Sequence, residues 1–182
     1  MIGVLVSGEG TNLQALIDSR LPVVAVASNR PEARALERAE RASIPAAVFR
    51  LEDYPARDVR DAVMADWLES NGVELVVCAG YMHLLTPGFL RRFTAVNVHP
   101  SLLPAFPGTR AIEEALAAGV SETGVTVHFV DEGVDTGPVI LQEPVPVSPG
   151  DTPRTLRERI QAVEHRLLPQ AVQLYLAGAL RS

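Results

Sequence analysis

Short runs of β-branched and apolar residues alternate along this chain with longer stretches of helical periodicity, and that alternation narrows the fold more than any other feature. Parallel strands cannot be joined by a tight turn; the chain must cross back over the sheet, usually as a helix. Strand and helix patterns taken in turn therefore predict an α/β fold around a mainly parallel sheet. The expected strands are Ile2 to Ser7, Val23 to Ser28, Ala46 to Phe49, Leu75 to Ala79, Ala95 to His99, Thr126 to Val130 and Val139 to Val147. The expected helices are Asn12 to Ser19, Glu32 to Ala42, Ala56 to Ser70, Pro87 to Phe93 and Thr109 to Ala118. A last, long helix starts near Pro153 and is expected to bend or break at Pro169, which lacks the N–H a helix interior needs. Gly72 is placed to stop the third helix as a C-terminal cap. The stretch Gln142 to Pro149 holds three prolines, which suits an edge strand.

With 182 residues and 47% hydrophobic content the chain can bury a full core without a metal or disulfide staple, and 1–182 reads as a single domain. Its one cysteine, Cys78, lies inside the apolar run from Glu74 to Ala79, reads as core and fits a reducing compartment. The net charge is −6 and the arginines are scattered, so there is no electrostatic footprint for nucleic acid; an anionic ligand must be held locally. The N-terminus enters a strand directly, without a leader's basic segment, and no apolar run approaches a membrane span. A cytoplasmic protein is expected.

The first motif with chemistry is Ser7-Gly8-Glu9-Gly10-Thr11-Asn12, between the first strand and the first helix. A glycine turn there leaves helix-start N–H groups free, and these, with the helix dipole, attract an anion such as phosphate. The P-loop ending is missing, and Leu13 stands where a dinucleotide fingerprint needs its third glycine, so a monophosphate is the ligand indicated. The same turn also serves as a plain tight connection, and Glu9 suits an anion site only if it points to solvent.

Two further constellations lie downstream. In Asn97-Val98-His99-Pro100-Ser101-Leu102-Leu103-Pro104, at the end of a strand, the two-residue period puts Asn97 and His99 on one face. Ligands of open α/β sheets bind at that end. An amide and an imidazole together suit a carbonyl that becomes tetrahedral, since both can donate to the developing oxyanion. A buried histidine beside a proline-stiffened turn is the alternative. The loop Asp131-Glu132-Gly133-Val134-Asp135-Thr136-Gly137-Pro138 has the wrong spacing for an EF-hand and is either a solvated turn or the source of a carboxylate, Asp135, that approaches His99. A carboxylate there would favour the charged imidazole and could relay a proton.

In this order the three motifs resemble the folate-dependent formyltransferases, and within them the phosphoribosylglycinamide formyltransferases of purine biosynthesis. The similarity runs over nearly the whole chain and is most specific at Asn97 to Pro104, Gly124 to Val130 and Asp135 to Gln142. It implies a Rossmann-like α/β fold, a mainly parallel seven-stranded sheet with helices on both faces. It also implies transfer of a formyl group from 10-formyltetrahydrofolate, a cosubstrate, to the amine of glycinamide ribonucleotide on the route to IMP. No metal is expected, and no partner beyond the small-molecule substrates in a monomer or homodimer. By the resemblance Asn97, His99 and Asp135 are catalytic, with His99 as proton donor tuned by Asp135. Gly10, Thr11 and Asn12 match contacts to the ribonucleotide phosphate, and Gln161, Ala162, Val163 and Glu164 match a second ribonucleotide contact on the last helix. Arg57, Met82, His83, Leu84 and Leu85 match the folate site, as do Asn97 and the loop Asp131, Glu132, Gly133, Val134 and Asp135 around the pterin. Without the resemblance, Glu164 and Arg57 read as surface charges.

Three departures from the family pattern stand out: His83 where many members have arginine, Ala105 where the residue is commonly basic, and Arg110 where histidine is frequent. Methionyl-tRNA formyltransferases and formyltetrahydrofolate deformylases share the core but carry a further RNA-binding or regulatory domain, and the length of this chain is expected to separate it from both. A nucleotide-binding module without catalysis is the rival of another class, since Asn29-Arg30 after the second strand could meet an NADP phosphate; the absent third glycine speaks against it.

Overall fold

The expected alternation is present in the computed structural model, which describes residues 1–180. The elements are β1 (Ile2–Val6), α1 (Thr11–Asp18), β2 (Val23–Ser28), α2 (Ala35–Arg41), β3 (Ala46–Val48), α3 (Arg57–Ser70), β4 (Leu75–Cys78), α4 (Pro87–Leu90), β5 (Thr94–His99), α5 (Ala111–Ala117), β6 (Glu122–Phe129), β7 (Val139–Pro146) and α6 (Pro153–Leu176). A single 3₁₀ turn at Leu51–Asp53 precedes α3. The strands form one seven-stranded sheet in the order β3-β2-β1-β4-β5-β6-β7. By contact density the chain divides into two compact units, one spanning Met1–Val96 and the other beginning at Asn97.

In the first unit β1 pairs in parallel with β2 and β4, and β2 with β3. All of β1 and β4 is buried, the expected property of parallel strands covered on both faces. Close packing at the start of β1 requires Gly3, because a Cβ there would lie 2.9 Å from Val73 Cγ1. The stop at Gly72 is a Schellman cap: Gly72 adopts φ +76°, its N–H donates to Glu69 O, and the N–H of Val73 donates to Leu68 O. Helix α2 begins at Ala35, three residues later than its pattern suggests, because the N–H of Ala35 is drawn to the carbonyl of Gly8.

In the second unit β6 and β7 form an antiparallel hairpin against which α6 packs. Pro144 and Pro146 both lie in β7, the last strand in the sheet order, as expected of an edge. Strand β6 starts four residues before the expected Thr126, at Glu122, because Gly124 is part of the ladder and not a breaker. It is there for proximity: a Cβ would lie 2.3 Å from Glu143 O and 2.4 Å from Leu102 Cδ2. The interruption expected at Pro169 does not occur, and α6 runs unbroken from Pro153 to Leu176. Pro169 is buried among Leu167, Leu168, Ala171 and Val172, and that apolar face offsets the missing backbone donor. The helix starts on a capping box, Thr152 accepting from Thr155 N while the Thr155 hydroxyl accepts from Thr152 N. No helix among the described residues is long and apolar enough to cross a membrane.

Candidate active site

The end of β5 presents Asn97 and His99 on one face, and the loop after β6 brings Asp135 to both. Asn97 Nδ2 lies 3.4 Å from Asp135 Oδ1, and His99 Nδ1 lies 3.4 Å from Asp135 Oδ2. His99 is buried and its Nε2 donates to the Phe106 carbonyl at 2.7 Å, which leaves Nδ1 as the nitrogen able to exchange a proton. Asp135 sits in the left-handed region, φ +53°, and its Oδ2 accepts the Gly108 N–H at 2.8 Å. Burial alone would raise its pKa. Contact with His128, the Gly108 N–H and the charge of the two imidazoles outweigh burial and hold the carboxyl below its ordinary range.

His128, which sequence reasoning quoted within a motif but did not place at the site, completes this cluster. It is buried on β6, with Nε2 3.2 Å from Asn97 Nδ2 and 3.5 Å from Asp135 Oδ1, while Nδ1 donates to its neighbour Phe129 O at 2.8 Å. The signal was available: a histidine inside an apolar strand needs polar partners when it is buried. One carboxylate thus stands between two imidazoles, each with its other nitrogen fixed on a backbone carbonyl.

The turn that follows β5 is tied down from the hairpin. The Thr126 hydroxyl donates to Ser101 O at 2.7 Å and accepts the Leu103 N–H at 3.1 Å, while Gln142 Nε2 donates to Leu103 O at 3.0 Å and to Thr126 Oγ1 at 2.9 Å. The Leu103–Pro104 peptide is cis. In the 131–136 loop, Asp131 Oδ1 accepts from Gly133 N at 3.0 Å and from the Thr136 hydroxyl at 2.6 Å, so this carboxylate shapes its own turn. Asp131, Glu132, Gly133 and Val134 are exposed.

Residues of the first unit expected at the substrate sites fall into two groups. Gly10 has φ +74° at the start of α1, and a Cβ there would lie 2.5 Å from Ala35 Cβ. Asn12 is buried and Thr11 half-buried, whereas Glu9 is exposed and pairs with Arg34 at 3.5 Å. In the second group Met82 and Leu84 are exposed, Leu85 is buried and His83 is half-buried. Met82 N donates to Ser7 Oγ at 2.9 Å, so the 82–85 segment is pinned to the end of β1.

Sequence reasoning also missed what holds that segment from behind. Arg60 and Asp61 on α3 are fully buried as a pair, Nε to Oδ1 2.7 Å; Asp61 Oδ2 accepts the Thr86 N–H at 2.9 Å, and Arg60 Nη1 donates to His83 Nδ1 at 3.0 Å. An arginine always donates, so that nitrogen of His83 is its lone pair. Burial, then Arg60 and Arg57, push the His83 pKa down, with Asp61 opposing. Arg57, at the start of α3, is exposed. On α6, Gln161 and Val163 are half-buried and Ala162 exposed, but Glu164 is only 8% exposed, so the reading of Glu164 as a surface charge is corrected. Burial pushes the Cys78 thiol up to about 12, which removes it as a nucleophile near neutral pH.

Residues 1–172 match the formyl transferase family model. The chain is 49% identical over 176 residues to the phosphoribosylglycinamide formyltransferase of Mycobacterium tuberculosis H37Rv, covering 93% of this chain and 81% of that one. It is 45% identical over 190 residues to the trifunctional purine biosynthetic protein adenosine-3 of Drosophila pseudoobscura pseudoobscura, covering 99% of this chain and 14% of the relative. It spans 14% to 19% of the length of such trifunctional relatives. The crystal structure of glycinamide ribonucleotide transformylase 1 from Symbiobacterium toebii superposes with a TM-score of 0.97 at 50% identity, covering 100% of this chain and 89% of that one. Fold and sequence agree, and the chain belongs to the formyl transferase family, on its phosphoribosylglycinamide formyltransferase branch.

Proposed function

We propose that this chain transfers the formyl group of 10-formyltetrahydrofolate to the amine of glycinamide ribonucleotide, giving the N-formyl ribonucleotide and tetrahydrofolate in purine biosynthesis. The observation that carries the reading is the convergence of an amide, two imidazoles and one carboxylate, with Asp135 at 3.4 Å from both Asn97 and His99. Such a set serves a reaction in which an amine attacks a carbonyl and charge appears on oxygen.

Asn97 and protonated His99 stabilise the oxyanion of the tetrahedral adduct. One well-placed donor of this kind supplies roughly 3 kcal/mol. Asp135 faces the imidazole and, through it or through water, receives the proton the amine loses and returns it to the departing folate nitrogen. Holding the two reactants in register contributes roughly 7 kcal/mol or more. The ribonucleotide phosphate is assigned to Gly10, Thr11 and Asn12, where the chain opens N–H groups at the start of α1, with Gln161 to Glu164 as its second contact. The folate is assigned to Arg57, Met82 to Leu85, Asn97 and the Asp131 to Asp135 loop. His83 in place of an arginine leaves Arg60 as the buried positive charge behind that segment. The 1–182 chain works as one catalytic domain, as a monomer or homodimer in the cytoplasm.

Purified protein given formyl-folate with glycinamide ribonucleotide, or with water alone, decides the matter. Formylated ribonucleotide is the expected product; release of free formate with no dependence on the amine would overturn the assignment in favour of a hydrolase.

A further inference from the structure

The donors and acceptors at the end of β5 leave the Asn97 amide without a free N–H while His128 is neutral. His128 Nδ1 lies 2.8 Å from a carbonyl oxygen, so it carries a proton. In the neutral imidazole Nε2 is then a lone pair, and it accepts from Asn97 Nδ2 at 3.2 Å. The second Asn97 N–H is directed at Asp135 Oδ1, 3.4 Å away. Both amide protons are then spent on protein acceptors, and the end of the amide left for a substrate is its oxygen, which cannot stabilise an oxyanion. When His128 is protonated the arrangement inverts. Nε2–H then faces both Asp135 Oδ1, 3.5 Å away, and the Asn97 amide, 3.2 Å away. The amide turns over to offer Oδ1, the imidazolium N–H lies between that oxygen and the carboxylate it would otherwise repel, and the NH₂ is freed.

We propose that His128 is a positioning residue for formyl transfer, its proton deciding which end of the Asn97 amide is presented to the formyl oxygen. The inference rests on Asn97 acting as the oxyanion donor. The charged and titratable groups around His128 are few. Asp135 faces it from the following loop, and His99 on β5 lies across the same carboxylate. Its partner on β7 is Val139, which carries no charge. Asp135 Oδ2 faces His99 and its Oδ1 faces His128, so one carboxylate contacts both imidazoles.

The test is nitrogen NMR of the uniformly ¹⁵N-labelled wild-type chain, with turnover of two variants. The expected result has three parts. Nδ1 of His128 stays protonated throughout the titration, Nε2 takes up the second proton, and a hydrogen-bond N–N coupling between Asn97 Nδ2 and His128 Nε2 is present at high pH and absent once Nε2 is protonated. His128→Phe lowers kcat about 100-fold with KM little changed. His128→Gln, whose amide donates without titrating, recovers much of that loss and removes one limb of the kcat pH profile. An N–N coupling that persists through the titration, or a His128→Phe enzyme with the wild-type profile, overturns the proposal. If Asn97→Ala turns over normally, it is the catalytic role of Asn97 that falls, and the coupling measurement still reports separately on the amide.

Discussion

Asp135 combines a backbone cost with a chemical task. A non-glycine residue at φ +53° costs roughly 1–2 kcal/mol, and asparagine and aspartate bear it best because their short side chains bond locally. Asp135→Asn therefore separates charge from conformation, keeping the loop and the Gly108 contact while removing the carboxylate. This variant and Asn97→Ala are each expected to lower kcat by about 100-fold or more with little change in KM. Steady-state kinetics check this; unchanged turnover in either variant removes that residue from the mechanism. The lowered pKa of Asp135 has a signed consequence for stability. Its carboxylate stabilises the fold above the unfolded value of about 3.9, and the contribution is lost as pH falls through the folded pKa. Thermal melts of Asp135→Asn should lose that part of the acid dependence. At this scale the sequence was informative where periodicity acts: Asn97 and His99 share a face because strands alternate. It offered a weaker signal for His128, a histidine inside an apolar strand, but not the partners it meets, and none for Arg60, which reads as an ordinary helix arginine until its burial is seen.

Elements were legible in kind and order, and their errors have local causes. The strand was expected from Thr126, yet β6 begins at Glu122 and includes Gly124, where Leu102 and the Glu143 carbonyl approach too closely for any side chain. Pro169 was expected to bend or interrupt α6; the helix is not interrupted there, and burial of the surrounding apolar face offsets the lost donor. Gly124→Ala is the direct probe of the first of these. Overpacking should destabilise the protein by about 1–3 kcal/mol in urea denaturation. It should also slow turnover, because Leu102 belongs to the turn after β5 that Thr126 and Gln142 tie down. A variant as stable as wild type would mean that the β6 backbone relaxes freely and that the close approach is incidental.

For the whole molecule, alternation of strand and helix carried the fold class, and the sheet order β3-β2-β1-β4-β5-β6-β7 is its outcome. Neither the order nor the hairpin's direction can be read from alternation, because both are set by which faces bury together. Binding offers a test at this scale, since a ligand that prefers the native state stabilises it by an amount fixed by its saturation, about 2.7 kcal/mol at a hundred times Kd. Thr11→Asp places a negative charge at the proposed phosphate site. It is expected to abolish the rise in Tm produced by glycinamide ribonucleotide while leaving the rise produced by a reduced folate. Loss of both shifts together would point to damaged folding and would remove Thr11 as a phosphate contact.

Pro144 and Pro146, two residues apart, project the same way from β7, and neither has a hydrogen to lend. A strand from another molecule approaching that margin would meet acceptors without matching donors at alternate positions, so pairing along the β7 margin is disfavoured. The hairpin gains this protection from two ring closures in the backbone, with no charged side chain needed along that margin.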